Sequence, residues 1–105
     1  MTGRNKIDDR PVSAMRNLGP SCEKDLNAAG IMTAGDVIRL GAEETFLRML
    51  LARKKQGRST GACNAAYLYA IYAAIHDIDW RDVPENKKSE FKALTAEMRE
   101  SGRFK

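Results

Sequence analysis

The chain has 105 residues, 43% of them hydrophobic and 30% charged, with 18 Lys plus Arg against 14 Asp plus Glu and a net charge of +4. That size fits one domain with one modest core, and the composition excludes disorder beyond the chain ends. The positive excess is mild: it permits contact with nucleic acid or an acidic protein and requires neither.

Met1 to Arg10 is a polar lead with no apolar stretch of the signal-peptide kind. The expectation is a cytoplasmic chain, with a flexible lead over 1–10, a single helical domain over 11–100 and a frayed tail over 101–105. Glycines punctuate the next thirty or so residues: Gly19, Gly30 and Gly41 each close an apolar-periodic run. The first predicted helix is short, Val12 to Leu18, with Met15 and Leu18 inward and Gly19 as its left-handed stop. Pro20 suits the first position of a second helix to Ala29, on which Cys22, Leu26 and Ala29 form an inner stripe. Gly30 ends it and sets Ile31 against Leu26.

Thr33 is a good N-cap for a third helix, with Asp36 completing a capping-box variant. Val37, Ile38 and Leu40 supply its apolar face up to Gly41. A fourth helix runs over Glu43 to Gln56, with Phe46/Leu50 and Leu47/Leu51 as i, i+4 pairs and Gly57 as its stop. A polar loop, Gln56 to Gly61, leads to the almost wholly apolar run Ala62 to Ile75. The run is too short to cross a bilayer. A helix apolar all round belongs in the centre of a globule, so about 62–76 is expected as the core helix. Trp80 is expected to plug one end of the core. Asp82 and Glu85 read as a capping box for a last helix with Phe91, Leu94 and Met98 inward. Strand patterns are absent from the sequence. The prediction is an all-α bundle of five or six short helices.

The order Leu18, Gly19, Pro20, then Gly30, Ile31, Thr33, Asp36, Leu40, Gly41, then Asn64, Leu68, Tyr69, Ala70, Trp80 and Pro84 resembles the C-terminal domain of the TfoX/Sxy competence-regulator family. The resemblance runs from about Val12 to Leu94. It implies a helical domain similar to helix-hairpin-helix and SAM-like domains. In two-domain relatives such a unit comes after an α/β domain, and the whole protein is a positive regulator of DNA-uptake genes. No α/β domain precedes Val12 in this sequence, so the expectation is a stand-alone copy.

Three candidate sites emerge. A helix-hairpin-helix grips a phosphate with backbone N–H groups at the start of its second helix. Gly19 and Ser21 could donate, flanked by Arg16 and Lys24, but Pro20 has no N–H to give. A plain tight turn is therefore the preferred reading there. Arg53, Lys54, Lys55 and Arg58 form the densest basic run, either a nucleic-acid patch or cations complementing a helix C-terminus. Tyr67, Tyr69 and Tyr72 cannot share one helix face, so at least one should reach the surface and could contact a protein partner.

Catalytic and metal chemistry find little support. His76 is the only histidine, Cys22 and Cys63 lack zinc spacing, and paired carboxylates and phosphate-binding glycine loops are missing from the pattern. Both cysteines are read as small buried fillers rather than redox sensors, and a Cys22–His76 nucleophile–base pair has nothing to bring it together. A non-enzymatic regulatory module is expected, without cofactor, metal, membrane or small-molecule substrate. It binds a protein partner or itself, with DNA or RNA as the alternative.

Overall fold

Every glycine- or proline-bounded apolar run from Pro20 onward forms an α-helix in the computed structural model, which describes residues 8–57 and 64–101. The helices are α1 (Pro20–Ala28), α2 (Ala34–Leu40), α3 (Ala42–Lys55), α4 (Ala65–His76) and α5 (Glu85–Glu100). Two 3-10 turns, Val12–Ala14 and Trp80–Asp82, precede α1 and α5. The described residues hold no strand, only one isolated bridge between Pro11 and Thr33. The all-α expectation holds.

Local chemistry sets the helix ends. The Thr33 hydroxyl accepts from the Asp36 N–H at 3.2 Å, and the Asp36 carboxylate accepts from the Thr33 and Met32 N–H groups, a complete capping box. Two more orphan donors of the first turn are satisfied from outside. The Ala34 and Gly35 N–H groups donate to the carbonyls of Arg10 and Asp8 at 2.9 and 2.7 Å. A Cβ on Gly35 would sit 2.9 Å from that Asp8 oxygen, so only glycine admits this approach. The polar lead is thus engaged from Asp8 onward. At the far end of α1, Gly30 takes φ +83. The Gly30 and Ile31 N–H groups donate to the carbonyls of Asn27 and Leu26, which brings Ile31 back over Leu26 as expected.

α4 is the core helix. It packs against α2, α3, α5 and the second 3-10 turn. Its Leu68, Ile71 and Ala73 are fully buried among Leu26 of α1, Val37 of α2, Phe46, Met49 and Leu50 of α3, and Phe91 of α5. Each large apolar side chain so buried contributes about 1.5–3 kcal/mol relative to exposure. Phe91 meets Tyr69 and Tyr72 at ring-centroid distances of 6.3 and 5.7 Å, and Phe46 meets Tyr67 at 5.9 Å.

Several expectations need correction. Val12 to Leu18 is not a helix: after one 3-10 turn Met15 is extended and Asn17 turns left-handed at φ +73. The Asn17 carboxamide donates to the Ile78 carbonyl at 2.7 Å and accepts from the Trp80 N–H at 3.2 Å, which holds the turn from the other end of the chain. Gly19 is accordingly extended and precedes α1 rather than closing a helix. Asn64 does not lie inside the core helix but caps it, accepting from the Tyr67 N–H. Ala62 and Cys63 lie outside the described residues.

Ile38 and Leu51 are exposed, because α2 and α3 each bury one narrow stripe and these side chains fall beside it. Trp80 is also exposed, at 47%: Asp79 caps the 3-10 turn that carries it outward, and Val83 fills the core end instead. Asp82 closes that turn and gives α5 no cap; α5 starts after Pro84 without a side-chain cap. Among the described residues no helix is long and apolar enough to cross a membrane.

Candidate functional site

The first basic candidate is divided by a buried ion pair. Arg53 continues the stripe Phe46, Met49 and Leu50 along α3, so its guanidinium turns inward to Asp25 of α1, Nη2 to Oδ2 at 2.7 Å. Asp25 is 6% exposed and the Arg53 side chain 18%. The Tyr67 hydroxyl of α4 donates to the same Asp25 oxygen at 3.3 Å. Burial pushes the Tyr67 phenol up, and the neighbouring Cys22 and Asp25 add to it, so this hydroxyl stays a proton donor. The triad ties α1, α3 and α4 together. Lys54 and Lys55 remain exposed at the end of α3, and Arg58 lies outside the described residues.

The Arg16 end of the hairpin candidate sits elsewhere. Arg16, Ser21 and Lys24 are exposed and Gly19 half-buried, and no side chain caps the start of α1. Asp79 lies on this side of the molecule. Its carboxyl is held well below the usual range by the side-chain hydrogen bond from Arg81, then by the Arg81 N–H, with Arg16 adding a small further pull. Asn17 anchors this corner to Ile78 and Trp80, beyond the C-terminus of α4. The Arg53 cluster instead meets Tyr67 in the first turn of α4. About 14 Å of helix axis separates Tyr67 from His76, the last residue of α4, at 1.5 Å per residue. Arg16 is therefore remote from Arg53, Lys54 and Lys55, whereas Lys24 is the chain neighbour of Asp25 on the helix that the Arg53 pair holds.

The same measure separates Cys22, beside Tyr67, from His76 at the end of α4, so the nucleophile–base pair does not form. Cys22 is half-buried against the core. The described residues contain no cluster of three His, Cys, Asp or Glu suited to a metal ion. Of the tyrosines, Tyr69 is buried with its hydroxyl on the Lys88 carbonyl, while Tyr67 and Tyr72 are half-buried.

A feature the sequence does not announce lies between α3 and α5. Both helices pack on α4 but their backbones do not approach each other. Two adjoining cavities of about 490 and 210 Å³ run along the gap and share Glu43 and Glu44. The first is floored by Tyr72, Ile75 and Phe91, the second by Leu47, Leu94 and Met98. Burial pushes the Glu43 carboxyl up, and a hydrogen bond to Glu90 across the gap and that residue's charge push it further, against the opposing field of Lys87. Lys87 sits 3.4 Å from Glu90 and 6.0 Å over the Tyr72 ring, and Tyr72 lies 4.3 Å from the His76 ring. The spacing Glu43, Leu47, Leu51 on one helix and Glu90, Leu94, Met98 on the other is the available signal. Each set lies along one face of its helix, beside rather than within the core stripe.

The sequence pattern of the TfoX C-terminal domain family matches residues 8–95. The chain belongs to that family. The match begins at Asp8, where the backbone starts to satisfy the first turn of α2. This TfoX C-terminal domain is also similar to an uncharacterised protein of Listeria monocytogenes, known from a triclinic crystal form. The TM-score is 0.72 and the identity 29%, over 85% of this chain and 93% of that one. No curated protein matches the chain.

Proposed function

We propose that this TfoX C-terminal domain is a non-enzymatic regulatory module of the cytoplasm that acts by binding a protein partner in transcriptional control. Family membership supplies the regulatory theme. The observation that carries protein over nucleic acid is the fate of the cations: Arg53 is spent on Asp25, and Arg16 lies at the other end of α4 from Lys54 and Lys55. A nucleic-acid site needs several phosphate contacts on one continuous face. Large apolar side chains meanwhile stand exposed, Met32, Ile38, Leu51 and Trp80 among them, as on surfaces that bind protein.

Pull-down from lysate of the source cells, with light scattering for self-association, tests the reading. A retained, saturable partner or a second copy supports it. A strict monomer that retains nothing refutes it. Titration with duplex and single-stranded oligonucleotides across salt tests the alternative. Affinity that falls steeply as salt rises would move the function to DNA or RNA.

A further inference from the structure

The gap between α3 and α5 has an apolar floor and an acidic rim. Leu47, Leu94 and Met98 are partly buried hydrophobic side chains that border it, and Leu51 extends the apolar strip one turn further along α3 at 41% exposure. Glu43 and Glu44 line one wall, Glu44 paired with Arg48 at 2.8 Å, and Glu90 reaches toward Glu43 from α5. Among the described residues Lys87 is the one lysine or arginine lining the two cavities, and it is already engaged with Glu90. Two carboxylates that meet across a groove repel: burial is the first cause that raises the Glu43 carboxyl, and Glu90 adds to it. A cation placed between them would remove that repulsion.

The dimensions suit a helix. Lys87 to Met98 covers about 16 Å along α5 at 1.5 Å per residue, the length of about three helical turns. A cleft between two diverging helices accepts an amphipathic helix by its i, i+3, i+4, i+7 face. We propose that this groove docks a basic amphipathic helix of a partner protein, its apolar face on Leu47, Leu94 and Met98 and a lysine or arginine between Glu43 and Glu90. The inference rests on the protein-binding reading and assigns it a surface and a partner chemistry. A second copy of this chain fits less well, because a two-fold interface sets each patch against itself and would bring the Glu43–Glu44 rims together.

The test uses the full chain and a fluorescently labelled helical peptide of about four turns, with leucines at i, i+3, i+4 and i+7 and flanking arginines, alongside a twin carrying glutamates for the arginines. Anisotropy should show saturable binding of the basic probe, about tenfold or more tighter than the twin. Leu47→Ser and Glu90→Gln should each weaken it several-fold, and Asn27→Ala, exposed on α1, should leave it unchanged. Should Leu47→Ser unfold the chain, Glu43→Lys with Glu44→Lys replaces it and should reverse the preference between probe and twin. Absence of saturable binding, equal affinity for the twin, or insensitivity to the groove variants overturns the proposal. A lysate partner retained equally by wild type and the double-lysine variant overturns the groove while the protein-binding reading stands. A chain that retains no partner and binds neither peptide overturns both.

Discussion

Replacing Asp25 with alanine leaves the Arg53 guanidinium in a pocket that is 18% exposed, and it removes the acceptor of the Tyr67 hydroxyl. Removing one partner of a buried ion pair costs about 3–5 kcal/mol, and the residual exposure of Arg53 puts this case near the lower end, about 3 kcal/mol. A domain of this size loses about 4–8 °C of Tm per kcal/mol, so the variant should melt about 12–24 °C lower. Arg53→Ala should cost about as much, because the buried Asp25 carboxylate keeps the Tyr67 hydroxyl but loses its countercharge. Lys55→Ala, on the exposed neighbour two positions on, should stay within about 0.5 kcal/mol. Urea and thermal unfolding followed by circular dichroism give all three values. The Asp25→Ala/Arg53→Ala double variant should lose clearly less than the sum of the two single losses, since the partners act through each other. If Arg53→Ala behaves like Lys55→Ala, the inward guanidinium is wrong, and the basic run returns as a candidate nucleic-acid surface.

Thr45 is fully buried on α3 with no hydrogen-bond partner for its hydroxyl among the described residues, so Thr45→Val should raise stability by about 1 kcal/mol in the same unfolding assay. Gly30→Ala meets nothing within 4 Å but must hold φ +83, which costs about 1–2 kcal/mol of pure backbone strain. Gly35→Ala strains no dihedral but collides with the Asp8 carbonyl, so its mark should be faster hydrogen exchange at the Ala34 and Gly35 amides. Glu43 binds its proton more tightly folded than unfolded, so its contribution to stability is present below its ordinary value of 4.5 and is lost as pH rises through the raised folded value. Asp36, held down first by the Met32 N–H, and Asp79, held down first by Arg81, act oppositely: their contributions are present above 3.8 and lost as pH falls. Urea midpoints of Glu43→Gln should therefore be flatter than wild type just above pH 4.5, with the acid limb unchanged.

The legible part of the fold is local. The Thr33–Asp36 box and the Leu26–Gly30–Ile31 helix end involve residues within five positions, and both form as expected. The apolar run of α4 needs only its own composition to be placed at the centre. Expectation fails where a distant residue decides the outcome. Val12 to Leu18 is too short to nucleate a helix alone, and Asn17, bonded to Ile78 and Trp80, turns the chain instead. Size alone assigns Trp80 to the core, yet Asp79 fixes a 3-10 turn that aims it outward. Composition groups Arg53 with its charged neighbours, although its i+3 and i+7 relation to Leu50 and Phe46 puts it on the buried face. The α3–α5 groove depends on two helices that share α4 while their backbones stay apart, which no local pattern encodes.

The most direct test of the central claim, that this domain binds protein and not nucleic acid, is one amide-resolved NMR titration of the chain, first with short DNA at low salt and then with the basic helical peptide. The account predicts peptide-induced shifts concentrated along α3 and α5 around Glu43, Leu47, Glu90 and Leu94, with none of comparable size from DNA. Saturable DNA-induced shifts at Arg16, Gly19, Ser21 and Lys24, with a silent groove, would contradict it.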